Sequence, residues 1–302
     1  MNAEKPGSPY RCGRVVLIGR PNVGKSTLLN ALIGARLSIV SAKPQTTRHR
    51  IVGIATREDA QIVFIDTPGL HRSGGRALNR HINRVARQAP EDADLIVHVV
   101  DARRWNEEDD AVWQLIAAHA APKLLVLNKV DLVEDKGRLL PLAAELTRER
   151  DYAGVHYVCA RRQQGLAALL DDIASRLPEG PAAFEEDELT DRSERFLAAE
   201  LVREQLMVQL SAELPYATTV EIERFEEEGA MARIAAAIWV EREGQKAIVV
   251  GKAGERLKAI GTAARIRMEK LFGRKVFLQL WVKVRENWSD DEAALKRLGH
   301  DG

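Results

Sequence analysis

At 302 residues, with 45% apolar and 29% charged side chains, the chain has the composition of an ordered globular protein and is too long for one ordinary core, so about two domains are expected. No apolar run approaches the roughly 20 residues of a membrane span, and the polar stretch from Met1 to Arg11 has no signal-peptide core, so a cytosolic protein is expected. A net charge of +1 requires any nucleic-acid surface to be local, and Cys12 and Cys159, in no metal-ligand spacing, read as buried thiols of a reducing compartment.

The first predicted strand, Val15 to Ile18, runs into Gly19-Arg20-Pro21-Asn22-Val23-Gly24-Lys25-Ser26. Thr27 then opens a helix in which Leu28, Leu29, Leu32 and Ile33 recur at helical spacing. Within strand, loop and helix, Gly-x-x-x-x-Gly-Lys-Ser has a mechanism. The glycines let successive N–H groups turn inward, the helix N-terminus adds its positive dipole end, Lys25 adds a charge, and Ser26 offers a hydroxyl to Mg²⁺. An ordinary strand-to-helix turn needs none of this, so the stretch is assigned to the β- and γ-phosphates of a nucleotide.

Ser41 to Arg48, broken by Pro44, reads as an exposed loop. Two short apolar runs, Ile51–Ile54 and Ile62–Ile65, flank a turn at Glu58-Asp59 and are expected to pair antiparallel, because so short a connection cannot cross over. The second delivers Asp66-Thr67-Pro68-Gly69. Asp66 can hold Mg²⁺ through water and the Gly69 N–H can meet a γ-phosphate oxygen, although the same four residues are also good turn chemistry. His71 to Arg87 suggests a surface helix. Leu95 to Val100 reads as a central strand ending at Asp101, with His98 as a packed strand residue rather than a ligand. A helix over Glu107 to His119 precedes the strand Lys123–Leu127, which presents Asn128-Lys129-Val130-Asp131 at its carboxyl end, where ligands sit in this fold class.

There Asp131 can accept hydrogen bonds from the guanine N1–H and 2-amino group, which adenine lacks as a pair, and Asn128 can tie this loop to the phosphate loop. The reading is therefore GTP and GDP rather than adenine nucleotides. A last strand, Val155–Val158, ends at Cys159-Ala160, whose backbone N–H groups can meet the guanine O6, and a helix with Leu166, Leu169, Leu170 and Ile173 closes the domain. Alternating strands and helices predict an α/β, mostly parallel, doubly wound sheet over residues 1–178. Residues 179–192, with Pro178-Glu179-Gly180-Pro181 and an acidic run, read as a linker.

Residues 193–302 have another rhythm: a helix over Phe196–Leu210, strands over Thr218–Phe225, Ala230–Val240 and Val276–Val284, and Gly251-Lys252-Ala253-Gly254 between a short helix and a longer one. Such a Gly-x-x-Gly loop is the K-homology (KH) arrangement that clamps about four nucleotides of single-stranded backbone, with Arg256 and Lys258 as further candidate phosphate contacts. From Gln245 to Arg285 the basic residues are Lys246, Lys252, Arg256, Lys258, Arg265, Arg267, Lys270, Arg274, Lys275, Lys283 and Arg285, opposed only by Glu255 and Glu269, a local surplus that phosphate binding requires. Glu221, Glu223 and Glu226 to Glu228 read as a solvated edge. Ser289 to Glu292 reads as a capping box opening a short terminal helix.

Gly-Arg-Pro-Asn-Val-Gly-Lys-Ser at 19–26, Pro-Gln-Thr-Thr-Arg at 44–48, Asp-Thr-Pro-Gly-Leu at 66–70, Asn-Lys-Val-Asp at 128–131 and Val-Gly-Lys-Ala-Gly at 250–254 together resemble the Era family of bacterial GTPases across nearly the whole chain. The resemblance implies a Ras-like GTPase domain followed by an α+β type II KH domain. It also implies a monomer that binds the 3′ end of 16S ribosomal RNA, assists maturation of the 30S subunit and associates peripherally with the inner membrane. Gln45, Thr46, Thr47 and Arg48 would form the first switch, with either Thr46 or Thr47 on Mg²⁺ beside Ser26, and Asp66 to Leu70 the second. Cys159 stands where the family usually has serine. Leu70 occupies the position of the water-orienting glutamine of Ras-like enzymes and can neither donate nor accept a hydrogen bond, so slow intrinsic hydrolysis is expected. Asn22 is the candidate side chain for an activating K⁺. The competing readings are a GTP-regulated RNA-binding module without hydrolysis and a GTPase coupled to tRNA modification; the latter would lack the 251–254 loop.

Overall fold

The computed structural model describes residues 9–41, 43, 46–69, 77–211 and 214–290, leaving aside the side chains at 79 and 81. The chain divides into two compact units, one of residues 1–38, 50–71 and 84–191, the other of 39–49, 72–83 and 192–302.

The first unit is built on a six-stranded sheet ordered β2-β3-β1-β4-β5-β6. Its strands are β1 (Arg11–Ile18), β2 (Ile51–Thr56), β3 (Ala60–Asp66), β4 (Leu95–Asp101), β5 (Lys123–Asn128) and β6 (Gly154–Val158). The β2–β3 pair is antiparallel, as its short connection demands, and β3, β1, β4, β5 and β6 run parallel. Helices covering both faces explain why β1, β4 and β5 read as nearly unbroken apolar runs rather than alternating ones. The order reverses at β1, between β3 and β4, so the loop after β1 opens at the topological switch point.

Helices α1 (Lys25–Ile33), α3 (Glu107–Ile116) and α5 (Leu166–Arg176) match the sequence pattern. Helix α4 (Leu139–Glu149) is not among the expected elements, although Leu139, Leu142, Ala143 and Leu146 recur at helical spacing; it buries Leu139, Ala143 and Leu146 against Leu125 and Leu127 of β5. Pro141 stands in its first turn, where a missing N–H costs nothing.

Of residues 179–192, expected as a linker, 179–191 are strapped to the first unit. Gln61 Oε1 accepts the Ala183 and Phe184 N–H groups at 2.8 and 2.9 Å, Ile54 N–H donates to Leu189 O at 2.9 Å, and Thr190 Oγ1 donates to Val52 O at 2.6 Å. Phe184 packs on the core formed by Val52, Ile54 and Val63.

The second unit has a three-stranded sheet ordered β7-β8-β9, from β7 (Thr219–Glu228), β8 (Met231–Val240) and β9 (Lys275–Val284), antiparallel across β7–β8 and parallel across β8–β9. Helices α6 (Glu194–Gln209), α7 (Glu243–Val250) and α8 (Glu255–Phe272) contribute to its core through Leu201, Leu206, Val249, Ile260 and Met268. The helix-strand-strand-helix-helix-strand order is that of a type II KH domain. Helix α2 (Ala77–Gln88) is amphipathic, as expected of a surface helix: Arg80, Arg84, Arg87 and Gln88 are exposed while Ala77, Leu78 and Ile82 are buried with Trp288. The capping box expected from Ser289 extends beyond the described residues.

Candidate functional site

Each glycine of the phosphate loop has a steric reason. A Cβ at Gly19 would stand 2.3 Å from the Val99 carbonyl of β4, and one at Gly24, which has φ +102°, would meet Asn128 Nδ2 at 2.4 Å. Gly24 is thus small so that the base loop can reach the phosphate loop. Asn128 uses that space: Nδ2 donates to Val23 O at 2.9 Å, while Oδ1 accepts from Lys129 N at 2.8 Å and Ala160 N at 3.1 Å. One buried side chain therefore joins the three loops that would surround a guanine nucleotide. Lys129 reinforces the junction, donating to the Asn22 carbonyl and to Asp101 Oδ2 at 3.0 Å. Burial alone would raise the Asp101 pKa, but hydrogen bonds from Arg103 and Lys129 outweigh it and hold the carboxyl well below its usual range.

Lys25 is buried, and its Nζ donates to the carbonyls of Gly19 at 2.8 Å and Arg20 at 3.1 Å. Desolvation lowers its pKa from 10.5 to about 8, against the opposing attraction of Asp66. A phosphate group placed against the ammonium restores the proton, so above pH 8 binding must take up a proton that the free site has lost. Nucleotide affinity should accordingly fall by up to about tenfold per pH unit above pH 8. Titration calorimetry in buffers of differing ionisation heat checks this, and zero proton uptake at pH 8.5 would refute it.

Ser26 Oγ and Ser38 Oγ both donate to Asp66 Oδ2, at 2.6 and 2.7 Å, and Asp66 is fully buried at the end of β3. A hydroxyl and a carboxylate side by side form an oxygen donor set suited to Mg²⁺, which takes few protein ligands and completes its shell with phosphate and water. The residues present fit that ion. Thr67 Oγ1 donates to Leu17 O at 2.9 Å, and a Cβ on Gly69 would lie 2.9 Å from Pro21. The Asp66–Gly69 turn is therefore folded directly against the phosphate loop, whereas Leu70, Gln45, Pro44 and Ala42 lie outside the described residues.

Three candidates have their side chains otherwise engaged. Arg20 Nε donates to both oxygens of the buried Asp109, at 3.1 and 3.0 Å, leaving its backbone for phosphate. Arg48, expected in the first switch, is 1% exposed and donates to the carbonyls of Thr218, Pro215 and Tyr216 within the second unit. Thr46 bonds to Ser41 Oγ and Lys43 O, and Thr46 and Thr47 both belong to the 39–49 segment grouped with that unit.

At the base loop Cys159 Sγ donates to Asp131 Oδ1 at 3.0 Å, and Arg162 Nε lies 3.7 Å from Oδ2. The thiol fills the donor role of a serine here and, as the largest influence, lowers the Asp131 pKa. Burial, followed by the carboxylate, raises that of Cys159. His98 is fully buried against Tyr152 Oη at 2.7 Å, and burial lowers its pKa to about 3, so it is a neutral packing residue as expected.

In the second unit Gly251 and Gly254 have φ of +74° and +81°, and a Cβ on Gly251 would meet Arg256 Cβ at 2.7 Å. Ala253 also has a positive φ, and Lys252 and Lys258 are exposed beside the loop. Arg256, expected to contact phosphate, is exposed and donates one Nη1 hydrogen bond to Ile248 O at 2.6 Å, at the end of α7. Ile248, 49% exposed, is an apolar surface next to the loop that sequence pattern alone does not single out. The apparent basic surplus is smaller than the linear count: Arg267 pairs with Glu204, Arg274 with Glu194 and Glu227, and Lys283 with Glu223. The glutamates of β7 are correspondingly not all solvated, since Glu221 and Glu223 also accept the indole N–H groups of Trp239 and Trp281.

Two family models match the chain, one described as a 50S ribosome-binding GTPase over residues 14–129 and one as a KH domain over residues 213–289. GTPase Era of Stenotrophomonas maltophilia is 59% identical over 294 residues, covering 97% of this chain and 99% of that protein. GTPase Era of Xanthomonas oryzae is 60% identical over 294 residues, covering 97% and 98%. Among solved structures, an Aquifex aeolicus Era variant bound to GDP·AlF4⁻ matches with a TM-score of 0.93 at 37% identity, covering 97% of this chain and all of that one. An Era complex with MgGDPNP and nucleotides 1506–1542 of 16S ribosomal RNA matches with a TM-score of 0.93 at 36% identity and the same coverage.

Proposed function

This chain belongs to the Era family of GTPases, and from that premise we propose that it binds the 3′ end of 16S ribosomal RNA through its KH domain and couples this to slow GTP hydrolysis during maturation of the 30S subunit. The observation that carries the nucleotide half is Asn128, whose amide links the phosphate loop to both base loops. The observation that supports the RNA half is the Gly251–Gly254 loop, with Lys252, Lys258 and Ile248 exposed around it, together with the RNA held by the related Era complex. We assign residues 1–178 to the GTPase domain, 179–192 to the connection and 193–302 to the KH domain.

In this reading the backbone of residues 19–27 receives the phosphates and Lys25 moves its donors from the loop carbonyls onto the phosphate oxygens. Asp131 and Asn128 hold guanine, with the Cys159 thiol and the Ala160 N–H beside it. Ser26, Thr46 or Thr47, and Asp66 through water would hold Mg²⁺, which neutralises charge on the phosphates. With leucine at position 70, the protein has no side-chain amide there to orient water, so the enzyme acts as a slow timer whose turnover the bound RNA, the ribosomal subunit or a cation accelerates. Asn22, exposed and with φ +63°, is the side chain assigned to K⁺. Hydrolysis in potassium is expected to exceed that in sodium at equal ionic strength, and equal rates would remove Asn22 from this role.

No described helix is long and apolar enough to cross a membrane; the proposed location is the cytoplasm, with peripheral contact at the inner membrane, as a monomer. The deciding experiment is filter binding with Mg²⁺. Retention of GTP over ATP, and of a 16S 3′-end oligonucleotide over a scrambled one, is expected. Equal retention of ATP or of the scrambled strand refutes the corresponding half.

A further inference from the structure

The crest of the phosphate loop, residues 20–22, is held by a side chain from the first turn of α3. Arg20 Nε donates to Asp109 Oδ1 at 3.1 Å and Oδ2 at 3.0 Å, and Asp109 is fully buried. The carboxylate is itself fixed. Its Oδ2 also accepts the Asn106 N–H at 3.1 Å, while Asn106 Oδ1 caps α3 by accepting from Glu108 N at 2.9 Å and Asp109 N at 3.3 Å. The crest also borders an open cavity that Arg20 and Asn22 share with Arg103 and Arg104. Asn22 has φ +63°, a left-handed conformation that is costly for a residue other than glycine and is kept where neighbours hold it. Two such holds are present: the Arg20–Asp109 pair, and Lys129, which bridges the Asn22 carbonyl and Asp101 Oδ2.

We propose that Asp109 is a positioning residue for GTP hydrolysis: paired with Arg20, it keeps residues 20–22 in the geometry that the transferring phosphoryl group requires. This rests on the reading that the chain hydrolyses GTP at this site. Asp109 acts through Arg20, whose carbonyl is one of the two that hold Lys25 Nζ, at 3.1 Å. When Lys25 turns to the phosphates, that carbonyl loses its donor and the ion pair is left to hold residue 20. With leucine at position 70, hydrolysis depends on positioning and charge, and a displacement of about 1 Å costs up to about a hundredfold in rate. Ground-state affinity is spread over base contacts and several backbone N–H groups, so it is less sensitive to the crest. Charge alone predicts the opposite sign, because removing a carboxylate close enough to Lys25 to favour its charged form strengthens attraction for an anionic nucleotide. A fall in rate therefore reports geometry.

The test is single-turnover GTP hydrolysis with Mg²⁺, expressed per site that binds GDP. It compares the full chain with its Asp109→Asn, Arg20→Gln and Asn106→Ala variants and with the double variant of Asp109 and Arg20. Asp109→Asn sets an NH₂ group against Arg20 Nε in place of one oxygen, and is expected to lower the rate about tenfold while GDP affinity stays within about threefold. The double variant leaves no buried charge unpaired, so it remains readable even where a single variant folds poorly. It should lose no more than either single variant, because the pair acts as one unit. Asn106→Ala removes the helix cap and leaves the carboxylate in place; it should lower Tm and spare the rate, which separates positioning from the stability of α3. An unchanged rate in the folded double variant, single losses that multiply, or an equal loss in Asn106→Ala overturns the role of Asp109 and leaves the GTPase assignment intact. No hydrolysis by the unmodified chain overturns both, and is seen before any variant is compared.

Discussion

Replacing Asp131 by asparagine is expected to lower GTP affinity about a thousandfold, because a site built to satisfy paired donors is left mismatched, and to transfer preference to xanthosine triphosphate. The carboxylate is acceptor-only, with Cys159 and Arg162 stabilising its charged form on the protein side. An asparagine amide would present one acceptor and one donor, so its NH₂ would face the guanine 2-amino group donor to donor. Xanthine carries a carbonyl at that position and accepts from the amide. Competition of guanine and xanthine nucleotides for the variant reads this directly. Unreduced GTP affinity, or no gain for the xanthine nucleotide, would mean that Asp131 does not read the base edge.

Removing the Asn128 side chain should affect stability as well as binding. Asn128 is 2% exposed and makes hydrogen bonds of 2.9, 2.8 and 3.1 Å to three loops. Asn128→Ala strands buried polar groups on all three and is expected to cost about 3 kcal/mol, a fall in Tm of roughly 10 °C for the transition of the first unit. Guanine nucleotide binding should drop by at least about a hundredfold, since the base and phosphate loops lose their common tie. Thermal unfolding with and without GDP separates the two effects. A Tm within a degree or two of the unmodified chain would show that backbone contacts alone hold the loops together.

The parts of the site that are legible in sequence are those whose chemistry is contiguous. Gly19 to Ser26 is one bend between a strand and a helix, and Asn128 to Asp131 one turn at a strand end, so the residue types that such backbones tolerate report their use. The central strands are legible because burial on both faces leaves an unbroken apolar run, a pattern that half-solvated strands and surface helices do not share. The KH order follows from alternating strands and from two glycines that both prove to have positive φ. What sequence reading misses most is order that depends on partners distant along the chain. The 179–191 strap owes its order largely to Gln61, well over a hundred residues away.

By itself the sequence determined the nucleotide class and the two kinds of domain, and it singled out the loops assigned here to phosphate and RNA, since each is encoded by neighbours along the chain. Only the tertiary structure decided which charges remain available. It committed Arg48 to three carbonyls, Arg20 to Asp109, Arg256 to Ile248, and Arg267, Arg274 and Lys283 to glutamates from other elements. Pairing of charges depends on distance in space, and a count along the chain carries no such distance; the same folding that assembled these loops also set several of the cations of the linear pattern beside carboxylates and carbonyls of other elements.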